Sequence, residues 1–167
     1  MREMTESALR NLLNRIQERQ NRLYDQVGYR GRSQPGPPAS REQIRQTESA
    51  LGCTFPRSYR AFLAVNNGWK HWSGDVALLS TDEMLRGRYA RRIQEWRRKE
   101  VARGTPFAGR SLVVGFSLFV GEQILIDFES PNKEETVVWD KGQMEIFPTF
   151  YEYLVNFKSV DETDGER

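Results

Sequence analysis

Apolar residues near the amino terminus recur at helical spacing. Leu9, Leu12, Leu13, Ile16, Leu23, Tyr24 and Val27 share one face, with Asn, Gln, Arg and Glu opposite, which predicts an N-terminal helix within residues 1–27. Residues 28–39, rich in Gly and Pro, interrupt the pattern and read as a linker. Ser40 followed by Gln43 forms a capping-box pair at the start of a second helix, predicted to bury Ile44, Thr47 and Leu51 before Gly52 stops it. Pro56 suits the first turn of a third helix with Tyr59, Phe62 and Leu63 on one stripe. Asn66, Asn67 and Gly68 are expected to end it in left-handed conformations.

The pattern then shortens. Trp69 to Asp75 reads as an aromatic loop and Val76 to Leu79 as a short strand. Ser80 or Thr81 is predicted to cap one continuous fourth helix running to about Arg103, with a narrow stripe of Leu85, Tyr89, Ile93 and Trp96. Four strands are predicted next, at Leu112–Phe116, Gln123–Phe128, Thr136–Trp139 and Met144–Phe147, from their β-branched and aromatic content. Asp140-Lys141-Gly142 has the composition of a tight hairpin turn. Thr149 and Glu152 open a final helix with Phe150, Tyr153, Leu154 and Phe157 inward, and residues 161–167 read as a frayed acidic tail. Helices, then a meander, then one helix predict an α+β fold: a mainly antiparallel sheet of four to six strands packed by helices. Tyr59, Phe62, Leu63, Ile124 and Ile126 are its expected core.

A hydrophobic fraction of 38% against 29% charged residues fits a globular chain of 167 residues. No apolar run is long enough to span a membrane, and the N-terminal stretch lacks the apolar segment of a secretory signal. The single Cys53 can form no intramolecular disulfide, which favours a reducing, cytoplasmic location. The net charge of +2 says little, but its distribution is uneven: residues 86–110 hold nine Lys/Arg against two acids.

The run Glu48 to Gly68, ESALGCTFPRSYRAFLAVNNG, resembles the signature of the SUKH superfamily, which includes the Smi/Knr cell-wall regulators of fungi. The resemblance rests on Glu48, Leu51-Gly52, Phe55-Pro56, Tyr59, Phe62-Leu63 and Asn67-Gly68. It continues through Gly115, Gly121-Glu122, Asp127 and the closing helix from Thr149 to Phe157. The sequence has Glu122 where the family usually has Asp, and the basic helix looks like an elaboration. The resemblance implies one domain over residues 1–160, with the core at 40–157. It also implies a protein-binding role. Bacterial members resemble immunity proteins that neutralise a polymorphic toxin, which would make a cognate toxin the partner; fungal members resemble adaptors that bind endogenous proteins. No cofactor and no enzymatic activity are implied.

The residues point the same way. His71 is the only histidine, and Cys53 is its only thiol companion, too few for a zinc site. No phosphate-binding glycine loop occurs. Asp82-Glu83 and Glu134-Glu135 read as surface acids, the first pair favoured by a helix N-terminus. Nucleic acid is disfavoured as a partner because no aromatic RNA-binding motif or zinc finger accompanies the arginines. Candidate partner-binding residues are therefore Trp69, His71 and Trp72, of which at least one tryptophan is expected at the surface, together with Arg88, Arg91 and Arg92 of the basic helix and Ser117 and Glu122 of a strand loop.

Overall fold

The computed structural model describes residues 4–119, 121–140 and 142–157; the expected acidic tail and the Lys141 turn position lie outside the described residues. Among these residues the chain forms α1 (Glu6–Val27), β1 (Gln34–Pro35), α2 (Arg41–Leu51), α3 (Arg57–Val65), β2 (Trp69–Ser73), β3 (Val76–Leu78), α4 (Thr81–Leu85), α5 (Gly87–Ala102), β4 (Ser111–Ser117), β5 (Gln123–Asp127), β6 (Glu135–Asp140), β7 (Gln143–Phe147) and α6 (Phe150–Val155). The fold is α+β, as the pattern predicts. Its sheet has seven strands, in sequence order and antiparallel throughout, where four to six were expected.

The two additional strands arise where turn chemistry and aromatic crowding hide them. β1 is a two-residue pairing inside the Pro-rich linker, held against β2 at Gln34↔Lys70 and Pro35↔Trp69. β2 replaces the expected aromatic loop. Trp69 pairs with Leu78 and Ser73 with Val76, so four residue steps on β2 face two on β3. This bulge, with His71 at φ 50°, breaks the period of two. Trp69 and Trp72, three apart, would otherwise point to opposite faces; instead their rings meet edge to face at 5.2 Å inside the core.

The predicted fourth helix is also two helices. Ser80 caps α4 through a reciprocal capping box with Glu83, but Arg86 is extended and Gly87 has φ 85°, which ends α4 and starts α5 in a new direction. Two helical positions expected inside are exposed, Val27 and Leu51. Gln20 is buried in place of an apolar residue because its amide donates to the carbonyl of Trp72 at 2.8 Å, tying α1 to β2. Asn67 makes a cap of a different kind from the one expected. Gly68 alone takes the left-handed conformation, while the Asn67 side chain accepts from Thr81 N–H at 2.8 Å and donates to its hydroxyl, fixing the start of α4.

The core lies mainly between one sheet face and α1, α3 and α6. Tyr59, Phe62, Leu63, Ile124 and Ile126 are all buried, as predicted. Phe55, Tyr59, Phe62 and Phe150 form a linked set of ring contacts, and Glu48 secures the α2–α3 corner by accepting from Arg60 at 2.5 Å and from Phe55 N–H. The Glu48–Gly68 run is thus a structural unit. On the opposite sheet face α5 packs Trp96 on Phe116 of β4, and the half-buried Arg97 donates to the carbonyls of Ala108 and Ser111. No described helix is long and apolar enough to cross a membrane.

Candidate protein-binding surface

The ladder places several turns at one end of the sheet. Ser73 and Val76 close the β2–β3 turn, Val76 pairs with Ser117 at the end of β4, and Gln123 opens β5 beside Trp139 near the end of β6. The β4–β5 connection and the β6–β7 hairpin therefore share this end with the β2–β3 turn. α5 reaches it as well: Arg92 donates to the carbonyl of Leu118 at 3.4 Å and also meets Glu95 at 3.5 Å.

The eight candidate residues separate by depth. Arg88, Arg91 and Arg92 are exposed on α5. His71 and Glu122 are half-buried. Trp69 and Trp72 are not surface residues: they are 2% and 0% exposed, and the expectation that one of them would be outside is not met. The Trp69 indole donates to Ser33 Oγ at 2.8 Å and that of Trp72 to Tyr153 Oη at 2.7 Å, so both polar tips are satisfied internally. Ser117 is buried too, its hydroxyl accepting from Phe119 N–H at 3.2 Å. These three side chains are closed to a partner in the folded protein.

The exposed aromatic at this end of the sheet is Phe119 instead, 70% exposed beside Leu118. Its sequence signal was only a lone aromatic within Ser-Leu-Phe-Val-Gly. Burial of Ser117 and Leu118's half-buried position leave Phe119 pointing away from the core.

His71 belongs to a clamp on the β2–β3 turn. Tyr29 Oη lies 2.9 Å from His71 Nδ1 and 3.0 Å from Asp75 Oδ1. Nδ1 is also 3.2 Å from the carbonyl of Gly74, which can only accept. One assignment satisfies every contact: Nδ1 carries the hydrogen, Tyr29 accepts it, and the Tyr29 hydroxyl donates to Asp75. Burial first, and Asp75 second, push the Tyr29 phenol up to about 12, so it remains a donor throughout the neutral range. Tyr24 completes the clamp, donating to the His71 carbonyl at 2.8 Å and accepting from Gly74 N–H at 2.9 Å. Tyr29→Phe removes the hydroxyl's hydrogen bonds to both His71 and Asp75 and should cost about 1–2 kcal/mol in denaturant unfolding.

Cys53 is far from such a role. Burial, and then Glu48, hold its thiol above the ordinary value and therefore protonated and weakly nucleophilic. Among the described residues no group of three or more His, Cys, Asp or Glu is placed to hold a metal ion.

Glu122 has the most perturbed carboxyl of the surface. Burial, then Asp140, then Glu145 raise its pKa to about 7. It faces other acids, so this end of the sheet carries a negative spot at β5–β7 and a positive one on α5.

These features define an α+β domain that presents a cationic helix and an exposed phenylalanine at the turn end of an antiparallel sheet. Residues 38–156 match the SMI1 / KNR4 family (SUKH-1), and the chain belongs to that family. No curated protein matches the chain.

Proposed function

We propose that this protein is an immunity protein that binds a cognate toxin protein directly and neutralises it by occlusion. The reading rests on the SUKH family, whose bacterial members resemble immunity proteins, and on one observation: Arg92 reaches the carbonyl of Leu118, joining the exposed arginines of α5 to the exposed Phe119 in one surface. Arginine offers a planar fork to carboxylates, and an exposed aromatic supplies apolar contact. The matching partner surface is acidic with an apolar recess. Arg88 and Arg91 make no ion pair among the described residues, so their charge is available to such a partner.

The two parts of the surface should act on different rates. Reversing Arg91 and Arg92 to glutamate should slow association by about tenfold at low salt and flatten its salt dependence, because exposed charges steer encounter. Phe119→Ala should leave association nearly unchanged and speed dissociation about tenfold or more, as loss of an anchor does. Both are measured by surface plasmon resonance against the toxin recovered by pull-down with the wild-type protein, with folding verified by circular dichroism. If both folded variants bind with wild-type rates, this surface is not the binding site.

A further inference from the structure

Among the described residues β7 is an edge strand of the sheet, and it is open along most of its length. Its one strand partner among them is β6, and four of its five residues, Gln143 to Ile146, are exposed. Met144 is 49% and Ile146 48% exposed. The other edge, β1, is only two residues long. Edges are ordinarily blunted by lysine, proline or a bulge. β7 has none of these within its span; Pro148 comes after it, and its one charged residue is Glu145.

The register decides what the edge offers. Two residues separate the pair Asp140↔Gln143, with Gly142 at φ 87°, so that pair closes a two-residue hairpin by hydrogen bonds. Antiparallel ladders alternate, so Val138↔Glu145 and Thr136↔Phe147 are the other hydrogen-bonded pairs. Met144 and Ile146 then direct their backbone N–H and C=O groups away from β6, toward the open side. Their side chains share one sheet face with Trp139 and Val137, their cross-strand neighbours, while Glu145 points to the other face beside Val138.

The charge on that second face identifies the occupant. Glu145 lies close enough to Glu122 to disfavour its charge, and Asp140 does the same. In the register that pairs all five residues of β7 with a second copy, Glu145 would face Glu145, a like-charge pair that destabilises a ladder. A strand with a cation at that position relieves the same repulsion. We infer that β7 accepts an extended segment of another protein by strand addition, with apolar residues beside Met144 and Ile146 and a lysine or arginine opposite Glu145. This surface is separate from the arginines of α5 and opposite to them in charge, so it stands or falls independently of the toxin-binding surface.

The test uses the full chain and two short synthetic peptides, one alternating valine with lysine and one alternating valine with glutamate. Fluorescence anisotropy should show the lysine peptide binding and the glutamate peptide binding at least about fivefold more weakly, since a favourable cross-strand ion pair replaces a like-charge pair. Glu145→Lys should invert that preference. Ile146→Pro removes an outward N–H and leaves the β6 ladder intact, so it should weaken the lysine peptide about tenfold while circular dichroism and the melting temperature stay close to wild type. No binding of the lysine peptide, equal binding of both peptides, or unchanged binding to folded Ile146→Pro would overturn the inference. So would a concentration-dependent dimer in sedimentation that Ile146→Pro abolishes, because the occupant would then be a second copy.

Discussion

Trp72→Ala should destabilise the protein by about 3–5 kcal/mol, the range for truncating a large buried aromatic. Trp72 is completely buried and its ring lies 4.4 Å from Phe157, with Trp69 and Tyr153 also in contact. Its backbone carbonyl accepts from Gln20, and its indole N–H donates to Tyr153. The substitution opens a cavity and leaves the Tyr153 hydroxyl, itself fully buried, without that donor. Trp72→Phe separates the two losses: it keeps most of the ring and removes the N–H, so it should cost clearly less than alanine. Chemical denaturation with a constant m-value is the measurement. A cost under about 1 kcal/mol for alanine would contradict the placement of Trp72 in the core. Any loss of partner binding in this variant then follows from unfolding or from displacement of the β2–β3 turn.

Glu122→Gln should do the opposite and stabilise the protein above neutral pH. The Glu122 carboxyl titrates near 7 when folded against an ordinary value of 4.5, chiefly because burial penalises its charge. The folded protein therefore binds a proton that the unfolded chain releases across that interval. Stability from this group falls as pH rises from about 4.5 to about 7, and the full penalty persists above that window. It vanishes below it, where both states are protonated. Because Glu122 is partly open to solvent, the penalty is about 1–3 kcal/mol, somewhat less than the whole shift would give. Glutamine should recover that amount at pH 8, change little at pH 4, and flatten the stability profile between them. A profile for the glutamine variant parallel to wild type would mean that Glu122 is solvated and titrates normally.

Helical periodicity and caps carried the first half of the chain into view. Ser40 with Gln43, Ser80 of the alternatives Ser80 and Thr81, and Thr149 with Glu152 all mark true helix starts. The four later strands were legible for the same reason, since β-branched and aromatic runs coincide with β4 to β7. The failures share a cause. Gly87 inside an otherwise helical charge pattern was outvoted by its neighbours, yet its positive φ breaks the helix. Trp69 and Trp72 looked like interface anchors because they crowd a segment that reads as a loop, and tryptophan is a frequent anchor. The bulge at His71 turns both inward, and a two-versus-four register is not written in residue types. The candidate surface was legible as charge on α5 and as a region at residues 117–122, but which side chain is exposed depended on tertiary packing: Ser117 is sealed while Phe119 stands out.

The central claim is that the protein acts by holding a toxin protein in a direct complex. The most direct test is to identify the partner by pull-down and mass spectrometry, mix the purified protein with that toxin, measure their association by isothermal titration calorimetry, and assay the toxin's activity in the same samples. A saturable complex, with toxin activity falling in proportion to complex formed and with both effects weakened together by the Arg91 and Arg92 reversal, is the predicted result. Undiminished toxin activity at saturating protein, or inhibition without any detectable complex, would contradict it.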